Sequence, residues 1–126
     1  MRKSIEIIEG TKENKILMDI KFPKKSNNKL IVFSHGFKGF KDWGCFNLIS
    51  KSFAQNGFTF LKFNFSHNGT TIADPLNFND LEAFGNNNFS IELNDLSLVL
   101  DWSVQNLNIL DITLLGHSRG GGVSML

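Results

Sequence analysis

Several residue types are scarce in this chain, and each scarcity excludes a class of protein. Among 126 residues there is a single cysteine, Cys45, so no disulfide forms within the chain, and no Cys/His cluster has the spacing of a zinc site. Basic and acidic residues nearly balance, 13 against 12, which removes the electrostatic argument for nucleic acid or an anionic membrane as the main partner. The remaining candidates for a partner are small molecules and proteins.

Long apolar runs are missing as well. No stretch approaches the roughly 18 apolar residues of a membrane span. The first residues, MRKSIE, become charged at once and lack the apolar region of a secretory signal. Together with the lone cysteine, these features predict a cytoplasmic protein.

The chain also contains only two prolines, and no Pro/Gly-rich linker, repeat or long charge run divides it. Its 41% hydrophobic and 20% charged residues are typical of one soluble globular domain. We therefore treat residues 1–126 as a single unit.

Short apolar stretches predict five strands. The first two alternate partly and are separated by a polar turn, which indicates an antiparallel hairpin. The third, LIVF, is continuously apolar, the pattern of a strand buried on both faces of a parallel sheet. The fifth has the same buried character. The predicted strands are Ser4–Glu9, Ile16–Phe22, Leu30–Phe33, Phe58–Phe65 and Ile109–Leu115.

Two segments have helical spacing of apolar residues. The first covers Trp43–Asn56, with Asp42 placed as N-cap and Gly57 as terminator. The second begins with Ser90 as cap and runs to about Asn106. The intervening segment 66–89 reads as a long loop with short helices that the pattern does not place. The order of elements predicts an α/β sheet with right-handed crossovers, in which ligand sites lie at the carboxyl ends of the strands.

One of those carboxyl ends carries a motif with chemical meaning. The fifth strand runs directly into Gly116-His117-Ser118-Arg119-Gly120, which matches G-x-S-x-G between a strand and a segment able to begin a helix. A serine on such a tight turn adopts a strained backbone conformation, and flanking residues without side chains let the turn close. The hydroxyl then projects above the sheet.

A second motif, His35-Gly36-Phe37, directly follows the third strand. Backbone N–H groups in such a loop suit the stabilisation of a developing oxyanion because they are rigidly placed. With HGF after the third strand and GHSRG after the fifth, the chain resembles the α/β-hydrolase superfamily over essentially its whole length. Within it, the HGF start, the Phe-Asn-Phe strand and GHSRGG are most similar to the esterase, serine aminopeptidase and dienelactone-hydrolase-like branch.

The resemblance implies roles for particular residues. Ser118 is expected to be the nucleophile, and the backbone N–H groups of Phe37 and Arg119 to be the oxyanion donors. His35 and His117 match positions that shape their turns and are not the family's base. One departure lies at residues 64–70, NFSHNGT, where many relatives carry Asp-x-Arg-Gly-x-Gly-x-Ser: the turn can persist through Gly69, but the arginine is absent.

The family's triad follows the chain order Ser, Asp or Glu, His. Only eight residues follow Ser118, and none is Asp, Glu or His. The resemblance therefore implies the N-terminal part of a three-layer α/β-hydrolase sheet, an antiparallel hairpin followed by parallel strands with crossover helices. We expect residues 1–126 to be the N-terminal half of a longer enzyme, truncated after the G-x-S-x-G turn, which is called the nucleophile elbow, and inactive alone. In such a fragment the fifth strand would present an unpaired apolar edge.

Other residues have ordinary interpretations that we favour. His67 is expected to be solvated or structural, with a substitute base as the alternative, and Cys45 to be a small buried hydrophobe. The Arg119 side chain is expected in solvent. Trp43 and Phe46 are expected to pack in the core, with an acyl pocket as the alternative. The loop acids do not have the spacing of a Ca²⁺ or Zn²⁺ site; they are Asp74, Asp80 and Glu82.

Three functions are compared on these grounds. The first is a serine hydrolase of small ester, thioester or amide substrates, with no metal or organic cofactor, and the second is a non-catalytic remnant or interaction module on the same scaffold. The third, a phosphate-binding loop at Gly116–Gly122, lacks the Lys-Ser/Thr that this chemistry requires. The hydrolase is the favoured interpretation.

Overall fold

Strands and helices alternate after an initial hairpin in the computed structural model, which describes residues 1–126. The strands are β1 (Arg2–Glu9), β2 (Lys15–Phe22), β3 (Lys29–Ser34), β4 (Thr59–Asn64) and β5 (Asp111–Gly116). The helices are α1 (Phe46–Gln55), α2 (Leu81–Asn86), α3 (Phe89–Asn106) and α4 (Arg119–Met125). None of these helices combines the length and apolar character needed to cross a bilayer.

All five strands join one sheet in the order β1-β2-β4-β3-β5. The hairpin β1–β2 is antiparallel, as the sequence predicts, and β2 also pairs antiparallel with β4. The neighbours β4, β3 and β5 are parallel. Because the carboxyl ends of parallel strands meet at one edge of a sheet, the loops after β3, β4 and β5 lie together.

The sheet is covered on both faces, which gives three layers. One face packs mainly against α3 and α4 through the larger core cluster, and the other packs against α1 through a smaller one. Alternation along β4 explains the split, since successive side chains point to opposite faces: Leu61 and Phe63 belong to the larger cluster and Phe60 to the smaller. Strand β3 is buried on both faces, as its apolar run predicts.

Four charged side chains form a buried network on the α1 face, and the sequence gives no sign of it. Lys62 Nζ lies 2.8 Å from Asp19 Oδ2 and 2.6 Å from Asp42 Oδ1, and Lys41 Nζ lies 2.8 Å from Asp19 Oδ2 and 2.7 Å from Asp42 Oδ2. Burial alone would raise the pKa of Asp42, but the hydrogen bonds and charges of the two lysines outweigh it and lower the pKa to about 2. The network ties the loop between β3 and α1 to the strands β2 and β4.

This network also explains why the predicted start of α1 is wrong. The helix begins at Phe46 with Cys45 at the N-cap position, because the Asp42 carboxylate is engaged by the two lysines and is not a cap. Cys45 is exposed, so its predicted burial is wrong as well. The end is as predicted: Gly57 follows the C-cap Asn56 with φ 93°, a conformation that glycine adopts without strain.

The other predicted cap is also displaced. Helix α3 begins at Phe89, and the side chain of Asn88, not Ser90, accepts a hydrogen bond from the Ile91 N–H at 2.9 Å. Inside the segment 66–89, Asp80 caps the short helix α2 by accepting from the Ala83 N–H at 3.1 Å.

Strand β5 lies at the edge of the sheet and pairs only with β3. Its predicted burial is wrong, since Asp111 to Leu114 are exposed. The expected unpaired apolar edge is present, with Ile112 and Leu114 each 36% exposed.

Candidate active site

Ser118 occupies the turn between β5 and α4 in a strained conformation. Its backbone angles are φ 55° and ψ −117°, which a residue with a side chain rarely adopts. The residue is exposed at the carboxyl end of β5, and the sequence predicts the site at the carboxyl ends of the strands. The turn thus leaves Ser118 exposed to solvent at the carboxyl end of β5.

Two glycines of the motif make room for this turn. A Cβ built at Gly116 would lie 2.4 Å from the Gly121 Cα, and one built at Gly120 would lie 2.1 Å from the Ser34 oxygen. Both distances are far shorter than van der Waals contact, so α4 can approach β5 and β3 only because these positions lack side chains. This is the steric reason for glycine that the sequence motif suggests.

The HGF loop packs directly against the serine. A Cβ built at Gly36 would lie 3.2 Å from the Ser118 Cβ and 3.0 Å from the His117 oxygen, and the His117 N–H donates to the Ser34 oxygen at 3.0 Å. The structure therefore brings the two sequence motifs together. No protein acceptor is bonded to the Phe37 N–H, and Arg119 is the first residue of α4, where the N–H has no acceptor within the helix.

His35 anchors this loop from inside the protein. Its Nδ1 lies 2.9 Å from the Gly36 oxygen, and its Nε2 accepts the Phe65 N–H at 3.2 Å, so both nitrogens are engaged. Burial lowers the pKa of His35 to about 4, with a smaller opposing effect from the Gly36 hydrogen bond. His35 is therefore a neutral structural residue that joins the loop after β3 to the loop after β4.

The two remaining histidines also contact other residues of the protein. His67 is buried, its Nδ1 lies 2.7 Å from the Ser66 Oγ, and burial is the main cause that lowers its pKa. This matches the structural interpretation, although His67 is not solvated. The His117 ring packs against Trp43 and Phe46 with centroids 6.1 and 5.7 Å apart. None of the three is hydrogen-bonded to the Ser118 hydroxyl.

The Arg119 side chain is not free in solvent, contrary to the sequence expectation. Its Nε donates to Glu92 Oε1, and its guanidinium lies 3.9 Å from the centroid of the Phe89 ring. The Glu92 side chain is only 4% exposed. The pair fixes the first residue of α4 against the first turns of α3, and sequence analysis missed it because Glu92 has the position of an ordinary dipole-stabilising residue.

A second carboxylate that the sequence does not single out holds the loop after β4. Asp95, fully buried, accepts from the Thr11 N–H at 3.1 Å, the Thr11 hydroxyl at 2.7 Å and the Ser66 N–H at 2.7 Å. The turn at Gly69, with φ 97°, persists as expected even though the family's arginine is absent.

A cavity of about 200 Å³ adjoins Ser118. Its walls come from the HGF loop, the start of α1 and the turn before α4; the lining residues are Gly36, Phe37, Lys38, Gly39, Trp43, Phe46, His117 and Ser118. Trp43 and Phe46 therefore line a cavity, while Phe46 also belongs to the smaller core cluster. A larger cleft of about 340 Å³ lies beside the start of β2 and the loop after β4 and does not include Ser118.

Solved structures with the same architecture come from several bacteria, whereas no protein-family model and no curated protein matches the chain. An α/β serine hydrolase homologue from Coxiella burnetii has TM-score 0.72 and 22% identity, over 98% of this chain and 56% of that one. A serine hydrolase without a lid from Xanthomonas campestris has TM-score 0.73 and 17% identity, over 98% and 54%. Est1E from Butyrivibrio proteoclasticus with bound ferulic acid has TM-score 0.74 and 20% identity, over 96% and 45%.

These comparisons show the same fold over nearly the whole of this chain. The present chain spans about half of the length of the three chains cited. The shared part includes all five strands, since nearly the whole of this chain aligns. The chain therefore has the α/β-hydrolase fold.

Proposed function

We propose that this chain carries the nucleophile and oxyanion-binding half of a serine hydrolase acting on small ester, thioester or amide substrates. The observation that carries the proposal is the strained, exposed Ser118, which lies so close to Gly36 of the HGF loop that a Cβ built at Gly36 would be 3.2 Å from the Ser118 Cβ. Strain of this kind persists only where surrounding structure enforces it, and it occurs mostly at functional sites. The neighbours from Coxiella burnetii and Xanthomonas campestris are described as serine hydrolases, which supports hydrolysis. Est1E binds ferulic acid, a carboxylic acid, which supports ester bonds.

The chemistry proceeds in two steps. The Ser118 Oγ attacks the substrate carbonyl carbon while a base removes its proton, and the negative oxygen of the tetrahedral intermediate accepts hydrogen bonds from the Phe37 and Arg119 N–H groups. Collapse breaks the bond to the leaving group, which takes the proton, and an acyl-enzyme remains. Water then attacks the acyl carbon by the same route and releases the acid and free Ser118.

Residues 1–126 do not supply a general base for Ser118. Both ring nitrogens of His35 have other partners, His67 Nδ1 pairs with the Ser66 hydroxyl, and no hydrogen bond joins His117 to Ser118. A serine without a base is a weak nucleophile at neutral pH. We propose that an Asp or Glu and a histidine come from polypeptide beyond the 126 residues, in the half of the fold that the neighbours have and this chain does not span. Residues 1–126 alone are then expected to be inactive.

The test is to read and express the gene beyond codon 126 and to treat the product with a fluorophosphonate probe, which labels activated serines. We expect a downstream Asp or Glu and then a histidine, and labelling that Ser118→Ala abolishes and that Ser90→Ala, an exposed serine on α3, leaves intact. A continuation without these residues, or a longer product that is not labelled at Ser118, overturns the proposal. Strong labelling of Ser118 in residues 1–126 alone would contradict the proposal that the base lies outside these residues. It would also contradict the alternative that the chain is a non-catalytic remnant.

A further inference from the structure

A basic cleft lies between α1 and the strands β1, β2 and β4, away from Ser118. Its volume is about 310 Å³, and four of its eight lining residues are lysines, so we call it the lysine cleft. The lining residues are Lys3, Asp19, Lys21, Asn47, Leu48, Ser50, Lys51 and Lys62. Asp19 is the only acid among them.

The near-zero net charge of the chain hides a segregation of charge along the sequence. Residues 20–62 contain eight lysines and a single acid, Asp42, whereas residues 63–118 contain seven acids and no lysine or arginine. Helix α1 belongs to the basic segment and α3 to the acidic one, and the two helices cover opposite faces of the sheet. The α1 face is therefore basic, and the overall balance of charge does not exclude an anionic ligand there.

Two lysines of the cleft face each other across the β1–β2 hairpin. Lys3 is the direct register partner of Lys21. The Cβ atoms of such a pair are about 5 Å apart, and like charges at these positions are destabilising. Lys3 lies 3.7 Å from Asp19 Oδ2, an oxygen that two other lysines already engage, and neither Lys21 nor Lys51 forms an ion pair. An anion placed between these lysines would relieve the repulsion.

The inner wall of the cleft has hydrogen-bonding capacity that the protein does not use. Lys62 is 2% exposed, and Asp19 Oδ2 and Asp42 Oδ1 take two of the three N–H donors of its ammonium group. The other oxygen of Asp19, Oδ1, is buried and has no hydrogen-bond partner within the protein, which is costly for a charged group. A hydroxyl group would satisfy both sites, because it accepts from an ammonium and donates to a carboxylate.

The size and charge of the cleft limit its ligand to a small dianion. Sites for small molecules begin at about 300 Å³, so a volume of about 310 Å³ fits a compact ligand. The lysines of the cleft outnumber its carboxylates even when Asp42 is counted with Asp19. A phosphate monoester carries nearly two negative charges at pH 7 and matches this excess better than a single carboxylate does.

We propose that the lysine cleft binds a small phosphorylated polyol. The phosphate lies between Lys3, Lys21 and Lys51, at the outer part of the cleft. A hydroxyl group of the ligand accepts a hydrogen bond from Lys62 Nζ and donates one to Asp19 Oδ1.

This site goes beyond the proposed hydrolysis, because Ser118 is not part of it. It also does not depend on how the sheet is completed. Further strands would pair with the free edge of β5, whereas the cleft lies at β1, β2 and β4, and β3 separates these strands from β5.

The test is calorimetric titration of the gene product extended beyond residue 126, or of residues 1–126 if the gene ends there. Glycerol 3-phosphate is compared with propyl phosphate, which has the same three-carbon chain without hydroxyl groups, and with glycerol, which has no phosphate. At low ionic strength we expect saturable binding of glycerol 3-phosphate, about tenfold weaker binding of propyl phosphate and no detectable binding of glycerol. Absence of saturable binding, or equal affinity for the two phosphates, overturns the proposal.

Two lysine variants locate the ligand. Lys21→Gln removes one charge from the cleft and ends the repulsion with Lys3, so we expect a higher unfolding temperature of the free protein and about tenfold weaker binding of glycerol 3-phosphate. Lys24→Gln removes the same charge from an exposed lysine outside the cleft and is expected to change the affinity by less than about twofold. Unchanged binding in Lys21→Gln, or an equal loss in Lys24→Gln, contradicts the assigned site. Should Lys21→Gln fail to fold, Lys51→Gln on the surface of α1 provides the same comparison.

The variant Ser118→Ala distinguishes this site from the proposed active site. It is expected to bind glycerol 3-phosphate as the parent protein does, because Ser118 does not line the cleft. Weaker binding in this variant would place the phosphate at the serine and overturn the proposal. Binding in a product whose Ser118 is never labelled by the fluorophosphonate would overturn the hydrolase and leave the lysine cleft standing.

Discussion

Gly120 is the residue at which the strand-to-helix turn leaves the least space. A Cβ there would lie 2.1 Å from the Ser34 oxygen and 2.4 Å from the His35 oxygen, both of them backbone atoms that cannot rotate away. Gly122, two positions later in the same helix, has no atom within 4 Å of a built Cβ. The two glycines therefore have different reasons to be present.

This contrast predicts opposite effects of the same substitution. Gly120→Ala is expected to lower the free energy of unfolding by about 1–3 kcal/mol through overpacking. Gly122→Ala is expected to raise it by up to about 1 kcal/mol, since alanine is favoured over glycine in a helix. Urea unfolding monitored by circular dichroism measures both, and equal effects of the two variants would show that the close approach of α4 to β3 is not present.

His35 makes stability depend on pH. Its pKa is about 4 in the folded protein against 6.5 ordinarily, so between these values the unfolded chain binds more protons and stability rises with pH. A proton on Nε2 would also face the Phe65 N–H, which is itself a donor. We expect about 3 kcal/mol of stability to be lost as pH falls from 6.5 to 4.

The variant His35→Gln isolates this effect, because its amide oxygen can still accept the Phe65 N–H and does not titrate. Unfolding free energies measured across pH 4 to 6.5 should show a smaller slope in the variant. The residual slope includes His67, whose pKa is also lowered by burial, whereas Asp42, with a pKa of about 2, contributes mainly below this range. An unchanged slope would mean that His35 is not the buried neutral group described.

At the scale of elements, the start of α3 is held by one side chain. Asn88 accepts the Ile91 N–H at 2.9 Å, while Ser90 lies exposed two residues later. Asn88→Ala is expected to destabilise the protein by about 1 kcal/mol and Ser90→Ala by less than about 0.5 kcal/mol. Thermal unfolding of the two variants measures this difference. A larger destabilisation by Ser90→Ala than by Asn88→Ala would show that Ser90 is the cap.

The displaced caps show which parts of the fold local sequence determines. Strands are predicted to within about two residues at most ends, since their apolar runs and turns are local signals. The start of α1 is not predictable in this way, because Asp42 is a good cap by residue type but is recruited by Lys41 and Lys62. Lys62 comes from β4, so the competing interaction is tertiary.

The candidate site likewise has features that local sequence predicts and features that depend on tertiary contacts. The positions of Ser118 and Gly36 follow from motifs at strand ends, and the structure brings them together. The contacts that hold the neighbouring segments cannot be predicted in this way. Glu92 and Asp95 are distant in sequence from their partners Arg119 and Ser66, and both resemble ordinary helix-surface acids. The aromatic character of the cavity is likewise visible only once the loop before α1 is folded against the turn at His117.

For the whole molecule, the sheet has two edges of different character. The outer strand β1 carries charged residues, including Arg2, Lys3 and Glu6, which natural proteins place on edges to prevent association. The outer strand β5 reads DITLLG and has neither a lysine nor a proline. An apolar strand with one unpaired edge is a template for pairing with another chain.

Residues 1–126 are therefore expected to self-associate through β5. A lysine at an exposed position of this strand, Thr113→Lys, should weaken association by roughly tenfold, equivalent to about 1.4 kcal/mol. The matched control is Ile5→Lys on β1, which adds the same charge and removes a side chain that is 61% exposed. If exposed apolar surface in general caused association, the control would be the more effective variant, because it alone deletes an exposed apolar group. Sedimentation velocity over a concentration series measures both, and a larger effect of Ile5→Lys would move the associating edge from β5 to β1.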